Sequence, residues 1–158
     1  MRNWKRLFLI SLLGGIALIA GLFIFSNQFR VSNEGFRIYL LDNELVISDS
    51  DIISYNKTSH QIKLNEEGIS RIKKLDLYHK YFVLKLNGKE LYNGSFWSDI
   101  DSMPYTGVAI IDILAIQHGL TNIVRIEPCY PLSFCKGVNP RDNPEIVEYF
   151  QRVGKLIQ

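Results

Sequence analysis

Residues 81–96 read YFVLKLNGKELYNGSF, which is two strand-like runs separated by the Asn-Gly pair at positions 87–88. Asn-Gly between apolar runs is a strong signal for a two-residue hairpin turn, because both turn positions need a positive φ. Such a turn also fixes which residues face each other across the hairpin. The predicted facing pairs are Lys85 with Glu90, Leu84 with Leu91, and Val83 with Tyr92.

One face of this hairpin is more apolar than a face open to water should be. Tyr81, Val83 and Tyr92 lie on it, so either a second layer of the protein or a partner is expected to cover it. Gly94 predicts a bulge or bend, beyond which the following aromatic residues change face. Aromatic side chains near a sheet edge favour contact with a partner, and core packing is the alternative. The candidate partner-binding residues are Tyr81, Val83, Tyr92, Phe96, Trp97 and Tyr105.

Short strands and capped helices are predicted on both sides of the hairpin. Asn65 is a helix N-cap followed by two acidic residues, which the helix dipole favours. Asn143 and Pro144 begin a last amphipathic helix. The other predicted elements are strands at 36–41, 45–47, 60–64, 108–111 and 121–127, and a helical turn at 49–51. This mixture predicts an α+β domain in which a small antiparallel or mixed sheet packs helices mainly on one face.

An uncharged apolar run begins at Leu7 and ends at Gln28. About 20 helical residues cross a bilayer core of ~30 Å, so the run predicts a single transmembrane helix in the lipid bilayer. Arg2, Lys5 and Arg6 precede the run and predict a cytoplasmic N-terminus. A cleaved signal peptide is the alternative, but its apolar stretch is shorter and ends in small residues. The predicted organisation is a cytoplasmic N-terminus at 1–6, an anchor at 7–28, a linker at 29–35 and an extracytoplasmic domain at 36–158.

The charge outside the N-terminal segment is close to balanced. Three of the 18 Lys and Arg residues precede the apolar run, so the rest of the chain carries 15 basic residues against 16 Asp and Glu. The formal charge of that part is −1, and no basic patch for nucleic acid remains. A nucleic-acid partner is therefore not expected.

Cys129 and Cys135 lie on the predicted external side, where cysteine pairs are normally oxidised. A redox pair usually has two intervening residues near a helix start, and five residues including a proline match that pattern poorly. Two thiols without a nearby histidine are too few ligands for a metal site. The pair predicts a structural disulfide that shapes a loop.

The stretches HQIKLNEEGI at 60–69 and YFVLKLNGKELY at 81–92 resemble the head of the first extracytoplasmic domain of SecD, the protein-export subunit. In both, a strand leads through a Glu-Gly helix start into a hairpin, and the similarity covers roughly residues 36–96. SecD continues into several membrane-spanning helices, and this chain ends at Gln158. The resemblance implies a head-like domain outside the membrane, and it carries over no catalytic residue.

No set of side chains in the sequence forms a recognisable catalytic, cofactor or metal motif. His60, His79 and His118 are far apart in the chain and give no support to a metal or catalytic site, and His60 and His118 are interpreted as packing or turn residues. The paired carboxylates at 49 and 51 and at 99 and 101 are interpreted as caps and turns, because the glycine and terminal glutamate of a calcium loop are missing. No cofactor is expected, and the chain is not expected to be an enzyme.

The sequence therefore predicts a membrane-anchored, non-enzymatic domain outside the cytoplasm that binds a protein or peptide, in protein export or envelope maintenance. Two alternatives stay open. One is a small-ligand sensor at the membrane surface, which needs a deep pocket with convergent polar groups. The other is an enzyme without a recognisable motif, which needs two titratable groups within hydrogen-bond reach in a cleft. The oligomeric state is not predicted.

Overall fold

The computed structural model describes residues 34–137 and 139–158, and Glu34–Gln158 forms one compact unit. Within the described part, no helix is both long enough and apolar enough to cross a membrane. The predicted cytoplasmic N-terminus at 1–6, the anchor that begins at Leu7, and all but the last two residues of the linker lie outside the described residues.

The described residues form one mixed sheet of nine strands, in the order β2-β1-β5-β6-β7-β8-β4-β3-β9. The strands are β1 Phe36–Leu40, β2 Leu45–Ser48, β3 Ile52–Asn56, β4 Gln61–Leu64, β5 Tyr81–Leu86, β6 Lys89–Phe96, β7 Val108–Ile111, β8 Ile123–Glu127 and β9 Leu156–Ile157. The helices are α1 Glu66–Ile72, α2 Ile113–Gln117 and α3 Pro144–Arg152, and short 3-10 turns occupy Asp49–Asp51, Leu132–Phe134 and Pro140–Asp142. Two neighbouring pairs, β6 with β7 and β3 with β9, are parallel.

The expected fold, a transmembrane helix followed by a small sheet with helices packed on one face, is wrong as a description of these residues. The described part is sheet-rich α+β, and its helices are few and short. The sheet is larger than expected because Ile52–Asn56 and Leu156–Ile157 are strands, and both were missed. They extend one end of the sheet, where β3 pairs with β4 and the C-terminal β9 pairs with β3.

The sheet must curve, because its first and eighth strands are joined by a very short connection. In a flat sheet β2 and β3, seven spacings apart, would be separated by about 34 Å. The link between them is the 3-10 turn Asp49–Asp51, and four residue steps span at most about 14 Å. The sheet therefore curls into a half-barrel around its core.

Aromatic side chains from opposite sides of the curved sheet meet in the core. The ring of Phe150 in α3 lies 5.1 Å from that of Phe36 in β1 and 4.8 Å from that of Tyr55 in β3, between ring centroids. All three side chains are almost completely buried. Burial of such large rings dominates core energetics, so α3 holds the two ends of the sheet together.

The central hairpin confirms the predicted turn but not the predicted register. Asn87 and Gly88 both have positive φ, and they join β5 to β6 as a two-residue turn. Beyond the turn the register shifts, because Leu91 is an extra residue in β6 and forms a β-bulge. Lys85 faces Glu90 as predicted, but Leu84 faces Tyr92 and Val83 faces Asn93. The predicted pairs Leu84 with Leu91 and Val83 with Tyr92 are therefore wrong.

Gly94 has a different role from the predicted bend. It pairs with Val108 in the parallel β6–β7 ladder, and a Cβ at this position would collide with the carbonyl oxygen of Val108 and the ring of Phe82. Only glycine permits this close approach of the two strands.

The predicted helix starts are confirmed. The side chain of Asn65 accepts a hydrogen bond from the backbone N–H of Gly68 at 3.0 Å, at the start of α1. The side chain of Asn143 accepts one from the N–H of Glu145 at 2.9 Å, and Pro144 is the first residue of α3. Both caps satisfy N–H groups that a helix otherwise leaves without a partner.

Candidate functional site

Four ring side chains stack one on the next beside the start of β5 and the end of β6. We call them the aromatic column: Tyr78, His79, Trp97 and Tyr105. The successive ring centroids are 3.9, 4.1 and 5.0 Å apart, and the interplanar angles lie between 21° and 26°. Such a stack holds its rings in fixed positions before any partner arrives.

The backbone places His79 in this stack. His79 has a φ of 59°, in the left-handed region that non-glycine residues rarely occupy. Its N–H donates to the carbonyl of Phe96 at 3.1 Å, and the N–H of Phe96 donates to the carbonyl of Lys80 at 2.9 Å. These bonds extend the β5–β6 ladder by one step and set His79 against Trp97. Backbone strain of this kind clusters at functional sites.

A carboxylate fixes one end of the aromatic column. Asp101 accepts hydrogen bonds from the hydroxyl of Tyr78, from Nε2 of His79 at 3.2 Å and from the N–H of Ser98 at 3.1 Å. Burial of Asp101 opposes its ionisation, but the three hydrogen bonds outweigh burial, so the pKa of Asp101 is lowered. The hydrogen bond between Tyr78 and Asp101 also raises the pKa of Tyr78. At neutral pH the Asp101 carboxylate beside the column is therefore negatively charged.

Large side chains beside the aromatic column are open to solvent. The exposed fraction is 57% for Tyr81, 78% for Ile100 and 58% for Met103. Trp97 donates from Nε1 to the carbonyl of Met103 at 3.3 Å, so the loop that carries Met103 is tied to the stack. The phenol of Tyr81 lies close enough to help burial raise the pKa of Tyr105. The column is thus the centre of an exposed aromatic and apolar surface.

The cysteine loop supports this surface from the side. The two backbones at Tyr105 and Tyr130 exchange hydrogen bonds of 2.6 and 2.8 Å, and the Tyr130 hydroxyl donates to the carbonyl of Asp99 at 2.6 Å. Cys129 and Cys135 form a disulfide, with Cα atoms 5.3 Å apart. The predicted pairing is confirmed.

A shallow groove of about 420 Å³ adjoins the aromatic column. His79 and Tyr81 form one side of it, and the loop after β1 forms the other. The groove is shallow and open to solvent, so it does not resemble the deep pocket that a small-ligand sensor needs. His79 and Asp101 are within hydrogen-bond reach beside it, as the enzyme alternative requires, but both carboxylate oxygens of Asp101 already accept hydrogen bonds from within the protein. Its lining residues are Leu40, Leu41, Asp42, Glu44, Asp76, His79, Lys80 and Tyr81.

The structure places the six predicted partner-binding residues in three different surroundings. Tyr81, Trp97 and Tyr105 are together at the aromatic column, and Val83 lies partly buried further along β5. Tyr92 and Phe96 pack on the core instead, where the ring of Phe96 lies 5.4 Å from that of Phe82. Tyr92 packs on the core because the bulge at Leu91 turns its side chain to the same face as Leu84.

Sequence reasoning missed three residues of the site, Tyr78, His79 and Asp101. A signal for the first two was present, because they lie two and three residues before β5 and Trp97 directly follows β6. A two-residue hairpin brings the outer ends of its strands together, so these residues must be neighbours. The role of Asp101 had no such signal, since it depends on how the eleven-residue loop between β6 and β7 folds back.

A second cluster with a tyrosine, a histidine and an aspartate has its tyrosine and histidine, Tyr55 and His60, buried inside the protein, and the Asp142 side chain is 66% exposed at its outer edge. The hydroxyl of Tyr55 is 2.8 Å from Nδ1 of His60, and Nε2 of His60 is 3.3 Å from a carboxylate oxygen of Asp142. Arg141 lies beside them and donates to the carbonyl of Ile126 at 2.6 Å. We call Tyr55, His60, Arg141 and Asp142 the buried cluster.

The chemistry of the buried cluster favours a structural role. Tyr55 is 2% exposed, and burial raises its pKa to about 12, so the phenol stays protonated. Burial, and then the Arg141 charge, lower the pKa of His60, so the imidazole stays neutral near pH 7. A neutral, enclosed pair of this kind ties the β3–β4 turn to the loop before α3 and offers no surface to a substrate.

Among residues 34–137 and 139–158, no three His, Cys, Asp or Glu side chains are grouped so that they could hold a metal ion. No family model matches this chain, and neither does any curated protein or any solved structure.

Proposed function

We propose that this chain is a non-enzymatic domain, held at a membrane by residues 7–28, that binds a protein or peptide partner outside the cytoplasm. The observation that carries the proposal is the aromatic column together with the exposed side chains of Tyr81, Ile100 and Met103. Protein interfaces concentrate their binding energy in a few aromatic anchors that are surrounded by apolar contacts.

The rigidity of the column supports partner binding. Stacking and the hydrogen bonds to Asp101 already hold the rings, so a partner that docks on them loses little conformational freedom of the site. Ordering a flexible side chain at an interface costs roughly 0.5–1.5 kcal/mol, and a pre-ordered site avoids that cost.

The extracytoplasmic location rests on two observations. The apolar run at 7–28 with its cationic flank favours an external C-terminal domain. The disulfide between Cys129 and Cys135 favours an oxidising compartment. A role in protein export or envelope maintenance follows only from the resemblance of residues 36–96 to the SecD head.

Site-directed photocrosslinking of the full-length chain in its membrane tests this proposal. A photoreactive phenylalanine analogue replaces Tyr81 in one variant and Met103 in another, because both side chains are exposed beside the aromatic column. We expect one and the same crosslinked product from the two positions. Tyr78→Ala should reduce its yield, since Tyr78 forms the end of the stack.

Two exposed positions elsewhere provide matched controls. Ile53 is 50% exposed on β3 and Leu120 is 79% exposed after α2, and neither lies at the column. The same analogue at these positions should give none of that product. Equal crosslinking at all four positions, or no product at Tyr81 and Met103, would contradict the proposal.

A further inference from the structure

The groove beside the aromatic column has an excess of negative charge. Three carboxylates line it, those of Asp42, Glu44 and Asp76, against the single ammonium group of Lys80. The lining also includes the imidazole of His79, whose Nε2 is already directed to Asp101, and the phenol of Tyr81. The electrostatic potential in the groove therefore favours a cation.

The three carboxylates are available to a partner. All three residues are exposed, and none of them forms an ion pair with another residue in the described part of the chain. Asp42 uses one oxygen to accept a hydrogen bond from the backbone N–H of Glu44 at 3.1 Å, which holds the loop after β1 in shape.

Apolar side chains border the carboxylates. Leu41 is 64% exposed on one side of the groove and Tyr81 is 57% exposed on the other. Lysine and arginine combine an apolar stem with a charged end, so they match a surface with both properties. An anionic lipid headgroup or a nucleic-acid phosphate would be repelled by the same carboxylates.

We propose that this groove binds a lysine or arginine side chain of an extended polypeptide, while a neighbouring apolar side chain of that polypeptide rests on Leu41 and Tyr81. The inference rests on the proposed function and specifies the chemistry of the partner. Carboxylates at the rim of an interface act mainly on selectivity and association rate, so the partner's sequence must include basic residues at the contact.

Peptide binding to the full-length chain in a neutral detergent tests the inference. The probes are a short fluorescent peptide that alternates lysine with leucine and its counterpart with glutamate in place of lysine. Fluorescence anisotropy should show tighter binding of the lysine peptide. The double variant D42N/E44Q should raise its Kd by roughly fivefold or more, which corresponds to the loss of two surface ion pairs.

The matched control is E66Q/E67Q, which removes the same charge from the first turn of α1, away from the groove. It should leave the Kd unchanged. A second measurement needs no variant: raising the ionic strength from about 0.01 M to 1 M shortens the screening length from about 30 Å to 3 Å, and binding should weaken. Equal binding of the two peptides, an equal effect of the two double variants, or binding insensitive to salt would each overturn the inference.

The outcomes separate this inference from the proposed function. If the crosslinked product forms at Tyr81 and persists in D42N/E44Q, while the lysine peptide shows no preference, the basic-partner inference fails and the proposed function stands. If no product forms at Tyr81 or Met103, the proposed function fails whatever the peptides do.

Discussion

The aromatic column and the buried cluster are built from the same kinds of residue. The column together with its partner Asp101 has a tyrosine, an aspartate and a histidine with positive φ, and so does the buried cluster; the φ is 59° for His79 and 51° for His60. They differ in what surrounds the rings. Tyr55 is 2% exposed against 43% for Tyr78. The same hydrogen-bonding groups therefore stabilise the fold in one place and present a surface in the other, so burial decides the role.

The largest expected difference between the two clusters is in stability. Tyr55→Ala removes a buried ring that stacks on Phe150, and we expect it to lower the free energy of unfolding by about 3–5 kcal/mol. Tyr78→Ala removes a ring that is partly in water, and its cost should stay within about 1 kcal/mol. Urea unfolding of the full-length chain in detergent, followed by circular dichroism, measures both. Similar costs for the two variants would remove the distinction between the clusters.

A smaller effect is expected from aspartate-to-asparagine changes. Asp101→Asn weakens the hydrogen bonds that hold Tyr78 and His79, at a cost of about 1 kcal/mol. Because Trp97 stacks on His79, its fluorescence should shift in a chain whose other tryptophan, Trp4, is replaced by phenylalanine.

Asp142→Asn is the control for that experiment. Asp142 contacts His60 in the buried cluster, so its replacement should leave the Trp97 emission unchanged. A shift of the same size in both variants would show that the emission reports general loosening of the fold and not the column.

The smallest expected effect is a pH dependence of stability. Burial, and next the Arg141 charge, lower the pKa of His60 in the folded state below its usual value of 6.5. At a pH between the pKa of His60 in the folded chain and that in the unfolded chain, the unfolded chain binds more protons. The free energy of unfolding therefore falls as the pH drops below 6.5. The pKa of Asp101 in the folded state is also lowered, so Asp101 stabilises the fold above pH 3.8, and that contribution is lost only at lower pH.

His60→Asn should remove the part of the pH dependence of the free energy of unfolding that comes from the titration of His60. Asparagine tolerates positive φ and can place an oxygen near the Tyr55 hydroxyl, but it does not titrate. Unfolding measured at pH 7, 6 and 5 should show a flatter profile for the variant than for the unchanged chain. Parallel profiles would mean that His60 is not the titrating group.

The local signals in the sequence were sufficient for most single elements. Asn65, Asn143 and the Asn-Gly turn each act through their own hydrogen bonds or φ angles, and the structure confirms all three. The strand Ile52–Asn56 was missed, because the capping residues before it suggested that the helical turn continued.

The register and the site were harder to predict because they depend on distant parts of the chain. The bulge at Leu91 has no marker of its own, and it moved Tyr92 from the expected surface to the core. The contact of His60 with Asp142 could not be predicted because the two residues are 82 positions apart in the chain. Three of the six expected partner-binding residues still lie at the aromatic column, since they flank the strand ends that the hairpin turn brings together.

The order of strands in the curved sheet has a consequence for biosynthesis. The hairpins β1–β2 and β3–β4 are made first, yet they stand on opposite sides of the four strands β5, β6, β7 and β8, which are made later. The edge of β4 that faces β8 stays without its partner until Glu127 has left the ribosome, and β3 waits for β9 at Leu156–Ile157. A chain delivered N-terminus first must therefore keep its early hairpins from pairing with the wrong strands until almost its whole length has been made.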